Sequence, residues 1–151
     1  MTILRAAVLL LVTFAATCLF ATGVADAAPA PSARPAAVPC KSTARACVKL
    51  STNQAWLMDG GRVVLGPVRV SHGRAGFRTP PGTFRVSYKD QDHISTVYDQ
   101  PMPYSVFFNG DIAFHAGSVR VLSHGCVHLP ASAARTFFST LRQGDVVQVV
   151  A

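Results

Sequence analysis

From Cys47 onward the chain alternates apolar and polar residues at the two-residue period of a β-strand. Val48 and Leu50 alternate with polar neighbours, and after a break at Ser51 to Gln54 the run Ala55-Trp56-Leu57-Met58 meets Asp59-Gly60-Gly61, a hairpin turn signal. Val63-Val64-Leu65 and Val68-Arg69-Val70 continue on either side of Gly66-Pro67. Pro67 lacks the N–H that an interior ladder needs, so a bulge or a sheet edge is expected there. Ser71 to Gly82, rich in Gly, Arg and Pro, reads as a long loop, and Thr83 to Tyr88 as a strand. Beyond it the pattern predicts a surface excursion over Asp90 to Pro103, a strand over Tyr104 to Phe108, a turn at Asn109-Gly110 and a buried strand over Ile112 to His115.

One helix is predicted, from about Ala131 to Leu141, because Ala134, Phe137, Phe138 and Leu141 recur at spacings of three and four. Pro130 suits its start and Gly144 its exit, after which Asp145 to Val150 closes the chain as a strand. Trp56, Phe84, Phe107, Phe108, Phe137 and Phe138 read as core. The expected domain is mostly β, two packed sheets with one short helix.

The N-terminus follows a different pattern. Ala6 to Phe20 is apolar apart from Thr13 and Thr17, follows the single charge of Arg5, and leads into Ala25-Asp26-Ala27. That order is a secretory signal peptide, expected to end at Ala27; an uncleaved membrane anchor is the alternative. Residues 28–39, Ala-Pro-Ala-Pro-Ser-Ala-Arg-Pro-Ala-Ala-Val-Pro, read as an extended linker, leaving 40–151 as one domain.

Composition narrows the chemistry. The chain of 151 residues has 14 Lys and Arg against seven Asp and no Glu, for a net charge of +7. Removing Arg5 and Asp26 with the signal segment leaves that balance unchanged, and the basic residues are scattered singly. This suits anionic cell-wall polymers rather than nucleic acid. Cys18 would leave with the signal segment, so Cys40, Cys47 and Cys126 remain in an oxidising compartment, an odd number. Cys40 and Cys47 would close a small loop as a disulfide, which singles out Cys126.

The segment Phe114 to Leu129, F-H-A-G-S-V-R-V-L-S-H-G-C-V-H-L, places three of the chain's five His around that thiol. A thiolate is a competent nucleophile, and a neighbouring imidazole accepts its proton. His115 and His124 are both candidates for that base, and backbone N–H groups near Gly125 for an oxyanion hole. In an extended conformation His124, Cys126 and His128 would face one side, an arrangement that with His115 would also suit Zn²⁺.

Ser123-His124-Gly125-Cys126-Val127 with upstream His115 resembles the signature of the L,D-transpeptidase (YkuD-type) family. Asn53-Gln54-Ala55-Trp56-Leu57, Gly66-Pro67-Val68 and Arg78-Thr79-Pro80-Pro81-Gly82-Thr83-Phe84 are similar to that family's segments in the same order, so the resemblance runs from about Val48 to Val150. It implies a mostly β, L,D-transpeptidase-like sandwich of mixed sheets, secreted, acting on peptidoglycan tetrapeptide stems in cell-wall organisation and cell shape. It also implies a thioester on Cys126, release of D-Ala and a 3→3 cross-link to a neighbouring stem. Carbapenem-type inhibitors would acylate the same thiol. No cofactor or metal is required, and a monomer is expected.

Carried over by position, Cys126 would be the nucleophile, His115 the general base, His124 a second active-site imidazole, and Gly125 and Cys126 backbone donors to the oxyanion. The group orienting His115 would be the carbonyl of Ala116 or Gly117, with the Asp111 side chain as an alternative. Ser123, His128, Tyr104 and Arg78 are the expected substrate contacts; by charge alone Arg74 or Arg120, like Arg78, could help hold the donor, and His93 could line the cleft. Two departures stand out: many members carry Arg or Asn where this chain has His128, and eight residues separate His115 from His124, fewer than in many members. A hydrolytic L,D-carboxypeptidase on the same site and a non-catalytic wall-binding domain are the alternatives.

Overall fold

A computed structural model describes residues 37–151. The signal segment 1–27 and residues 28–36 of the linker lie outside the described residues. Among those described, the chain forms β1 (Ala46–Lys49), β2 (Gln54–Asp59), β3 (Arg62–Arg69), β4 (Gly82–Arg85), β5 (Tyr88–Ile94), β6 (Pro101–Asn109), β7 (Ile112–Ala116), β8 (Val127–Leu129), α1 (Ala131–Thr140) and β9 (Val146–Val150). They build a five-stranded sheet in the order β3-β2-β1-β9-β4 and a four-stranded sheet in the order β5-β6-β7-β8. Both sheets are mixed, because β1 pairs parallel with β9 and β7 parallel with β8.

Alternation decides which side chains meet. Ala46, Val48, Ala55, Leu57, Val147 and Val149 point from the first sheet into the main core, where they join Val106, Phe108, Phe114, Val127 and Leu129 of the second. The helix closes this core with Ala134, Phe137 and Leu141, as its spacing predicts, and the rings of Phe114 and Phe137 lie 5.1 Å apart. The intervening residues of β1 and β2 are apolar too, because that face of the five-stranded sheet is also covered. Cys47, Trp56 and Met58 pack there with Ala44, Val38 and Cys40. The Cys40–Cys47 disulfide expected from the sequence ties this cover to β1.

Pro67 falls within β3, an edge strand whose pairing with β2 shifts register between Ala55 and Met58, so both expectations for it hold together. Two other boundaries differ from the expected ones. The strand expected over Thr83 to Tyr88 is divided: the Val86 N–H bonds Asp145 O toward the first sheet, and the Ser87 N–H bonds Phe107 O in the second. The chain changes sheets there, which an unbroken alternation does not reveal. Most of the expected excursion over Asp90 to Pro103 is instead the hairpin of β5 and β6, leaving only 95–100 outside the strands. As the edge of its sheet β5 needs no continuous apolar face, and its polar run reads as a loop.

Candidate active site

The site grows from the outer face of the four-stranded sheet. On β7, Phe114 enters the core while Ala113 and His115 project to the opposite side. Parallel pairing sets His115 beside His128 and Phe114 beside Val127, so Val127 and Leu129 point inward with Phe114. Cys126, just before β8, packs against Ala113, Met102 and Phe107 on that outer face. Strand alternation thus brings Cys126, His115 and His128 to one side of the sheet. They line a cavity of 710 Å³ together with His124, Ser123, Asp111 and Met102.

His115 is buried, with 6 % of its surface exposed. Its Nδ1 lies 2.9 Å from Ala116 O. A carbonyl only accepts, so Nδ1 carries the proton and Nε2 is left with its lone pair. Of the orienting groups expected, the structure uses the Ala116 carbonyl; the Asp111 backbone carbonyl instead faces Cys126 Sγ at 3.6 Å. Burial is the main cause that lowers the His115 pKa from 6.5 to about 4; the Ala116 carbonyl opposes it, and nearby His128 and His93 reinforce it. Burial also pushes the Cys126 thiol up, against backbone hydrogen bonding at Ala113, and the Asp111 charge adds to the rise. Both groups are therefore neutral at rest, a thiol and an imidazole lining one cavity.

The turn before Cys126 is fixed by one side chain within it, Ser123, and by one remote in sequence, Thr79. Gly125 has φ +124°, a backbone region that side chains rarely adopt, which explains a glycine at this position. Its N–H donates to Ser123 Oγ at 3.0 Å, and that hydroxyl donates to Cys126 O at 2.5 Å. The backbone donor expected of Gly125 is thus committed inside the turn, and what the glycine lends is shape. Thr79 adds a clasp from the 71–82 loop: Oγ1 accepts the Gly73 N–H at 3.0 Å and donates to Gly125 O at 2.6 Å. Ser71 and Gly73 bridge to His128 and Ser123, extending the sheet at its β8 end.

His124 does not share an extended face with Cys126 and His128, because the Gly125 conformation turns the chain between them. Its ring lies between Phe77 at 4.8 Å and Tyr98 at 4.3 Å, on the rim of the cavity. His128 places Nδ1 3.0 Å from Ser118 O and 3.2 Å from Ser71 Oγ, and its ring stands edge-on to His115 at 4.8 Å. Among the described residues no three His, Cys, Asp or Glu side chains converge as a metal site would require.

Four expected contacts are placed elsewhere. Tyr104 packs on Phe138 and accepts a hydrogen bond from Arg135 at 3.2 Å, on the helix side, because its positive φ of 60° interrupts the strand alternation. Arg78 lines a neighbouring cavity, and Arg120 lies in the exposed turn after β7; neither lines the cavity of Cys126. His93 pairs with Asp90 at 3.0 Å and stands against Phe107 on β5, near the site without lining it. Sequence reasoning gave no individual role to Thr79, Ser71, Phe77 or Tyr98. The signal for Thr79 was its place in the Thr-Pro-Pro-Gly-Thr-Phe segment.

A thiol and an imidazole with its Nε2 free, lining one cavity over a mixed β-sandwich, have the groups that cysteine-dependent acyl transfer requires. The chain belongs to the L,D-transpeptidase catalytic domain family, YkuD, whose model matches residues 43–149. An L,D-transpeptidase from Stackebrandtia nassauensis has the same fold at 32 % identity and TM-score 0.67, over 70 % of this chain and 54 % of that one. Two others share the fold over 70 % of this chain: the L,D-transpeptidase LdtMt1 in complex with imipenem, at 22 % identity, TM-score 0.64 and 57 % of its length; and L,D-transpeptidase 3 from Mycobacterium tuberculosis with a faropenem-derived adduct, at 19 % identity, TM-score 0.64 and 59 % of its length. The chain therefore spans little more than half of these relatives. No curated protein matches it.

Proposed function

We propose that the protein is exported through its N-terminal signal segment and forms 3→3 cross-links between peptidoglycan stem peptides, with Cys126 as nucleophile and His115 as base. The observation that carries this reading is the Nδ1 contact of His115 to Ala116 O, which leaves Nε2 as an acceptor in the cavity that Cys126 also lines. As Sγ attacks the carbonyl before the terminal D-Ala, Nε2 takes the thiol proton. The imidazolium then returns it to the leaving amine, so D-Ala departs and a thioester remains. An amine from a second stem attacks the thioester, His115 removes its proton, and the sulfur leaves to be reprotonated. Because burial keeps both groups neutral, proton transfer accompanies attack instead of preceding it.

Intact-mass measurement of the protein with a disaccharide-tetrapeptide, with and without an acceptor stem, tests the reading. A Cys126 adduct, free D-Ala and a cross-linked dimer are expected. Tripeptide without dimer makes the protein an L,D-carboxypeptidase, and the absence of both adduct and product from folded protein leaves a wall-binding domain.

A further inference from the structure

Among the described residues, Asp111 is the one acid that lines the cavity of Cys126. It is exposed in the turn between β6 and β7, and its backbone carbonyl is the one that faces Sγ at 3.6 Å. The carboxylate therefore stands within a side chain's reach of the reacting sulfur. Burial leads, and the Asp111 charge adds, in raising both the Cys126 thiol and the Tyr88 phenol, so that charge reaches into the sheet around the nucleophile. Such a position works against the first chemical step, because an anion beside a thiol opposes the thiolate.

Local structure does not call for the carboxylate. Gly110, with φ +54°, supplies the left-handed residue that the two-residue hairpin loop needs. Asp90 and Asp145 accept the N–H groups of Asp92 and Arg142, and Asp59 pairs with Arg45. Asp111 has neither kind of partner among the described residues; only its main-chain carbonyl is engaged.

An unpaired carboxylate in a cavity recognises a cation, and the proposed reaction brings one to this place. The acceptor amine approaches as an ammonium group. After giving one proton to solvent it becomes positive again as its nitrogen bonds the thioester carbon, whereas water approaches uncharged. We infer that the Asp111 carboxylate selects the nucleophile: it holds the acceptor amine beside the thioester and opposes the positive charge on its nitrogen until His115 removes the proton, so that the acyl group passes to an amine and not to water. In that step the N–C bond forms, the C–S bond breaks, and the proton moves from nitrogen through His115 Nε2 to the sulfur. The inference rests on the transpeptidase reading for the nucleophile and on the cavity alone for the cation site.

The test separates those two parts. With a disaccharide-tetrapeptide donor and an acceptor stem, the ratio of cross-linked dimer to tripeptide measures how the acyl-enzyme divides between amine and water, whatever the rate of acylation. Asp111→Asn should lower that ratio about five-fold, the upper range for an exposed ion pair, and Asp111→Glu should recover part of it. With an acceptor whose amine is replaced by a hydroxyl, Asp111→Asn should leave the ratio of ester to tripeptide as it is. An unchanged dimer ratio, or an equal fall with the hydroxyl acceptor, would overturn the selection of the amine. The cation site is read separately in Cys126→Ala protein from amide NMR shifts on adding a stem tripeptide with its side-chain amine free or acetylated. The free amine is expected to move Gly110 and Ile112 and to bind about five-fold more tightly, a preference that Asp111→Asn removes. Equal affinities, or a preference that survives Asp111→Asn, would overturn the site. A parent protein that yields tripeptide alone would overturn both the selection and the cross-linking reading, and the preference for the free amine would then stand as a cation site without that role.

Discussion

Thr79 Oγ1 donates to Gly125 O at 2.6 Å across 46 positions of sequence. The hydroxyl also accepts the Gly73 N–H, so one buried side chain ties a loop to the turn that presents Cys126. Thr79→Val keeps the shape but leaves Gly73 N–H and Gly125 O without this partner. A cost of roughly 1–3 kcal/mol is expected for the buried groups. Because one of them belongs to the turn, acylation should slow along with the loss of stability. Thr79→Ser, which retains the hydroxyl, should recover most of both. Thermal unfolding with acylation kinetics checks this; a valine variant that loses stability but acylates at the parent rate would show that the clasp does not position the thiol.

Imipenem is expected to add its mass to Cys126 and to no other residue. Cys40 and Cys47 are joined to each other, and Cys126 is the free thiol among the described residues. Cys126→Ala should abolish the adduct while keeping the fold. Peptide mapping of the labelled protein locates the site, and an adduct that survives in the alanine variant would remove Cys126 as nucleophile.

Much of this site was legible in the sequence because strand alternation alone sorts β7 and β8 into inward and outward residues. Phe114, Val127 and Leu129 are apolar and go in; His115, Cys126 and His128 are not and face out. What alternation cannot show is where it stops. Gly125 takes His124 out of the extended register with Cys126, although its ring still lines the same cavity, and Tyr104 at φ 60° turns toward the helix. β5 was hidden for a different reason: its stability comes from backbone pairing to β6, which carries no side-chain signature when the strand is an edge. The clasp by Thr79 depends on loop packing over a long separation, which local periodicity does not encode.

The Cys40–Cys47 bridge should matter for stability and not for chemistry. It spans seven positions on the face of the five-stranded sheet opposite the main core, packed with Trp56 and Met58. Closing so short a loop in the unfolded chain is worth about 2–3 kcal/mol by chain entropy. The double variant Cys40→Ser, Cys47→Ser should lose about that much in denaturant unfolding and acylate at the parent rate under conditions where it remains folded. A slowed acylation in the folded variant would mean that this face communicates with the four-stranded sheet that bears Cys126 and His115.

His115 makes a pH-dependent contribution whose sign follows from its burial. The folded protein lowers its pKa from 6.5 to about 4, so between those values the unfolded chain binds a proton that the folded chain does not. Stability linked to this group therefore rises with pH across that window, is fully present above about 6.5, and is lost as the pH falls toward 4. The size is roughly 3 kcal/mol. His115→Gln, which does not titrate, should flatten this part of the stability profile measured by denaturant unfolding. The same neutral imidazole should keep acylation in the free enzyme active well below pH 6.5, with its acid limb near 4, while His115→Gln should slow acylation by about 10²- to 10⁴-fold. An acid limb at 6.5 would mean that the base is solvated, and an unchanged rate in the glutamine variant would transfer its role to another imidazole of the cavity, His124 or His128.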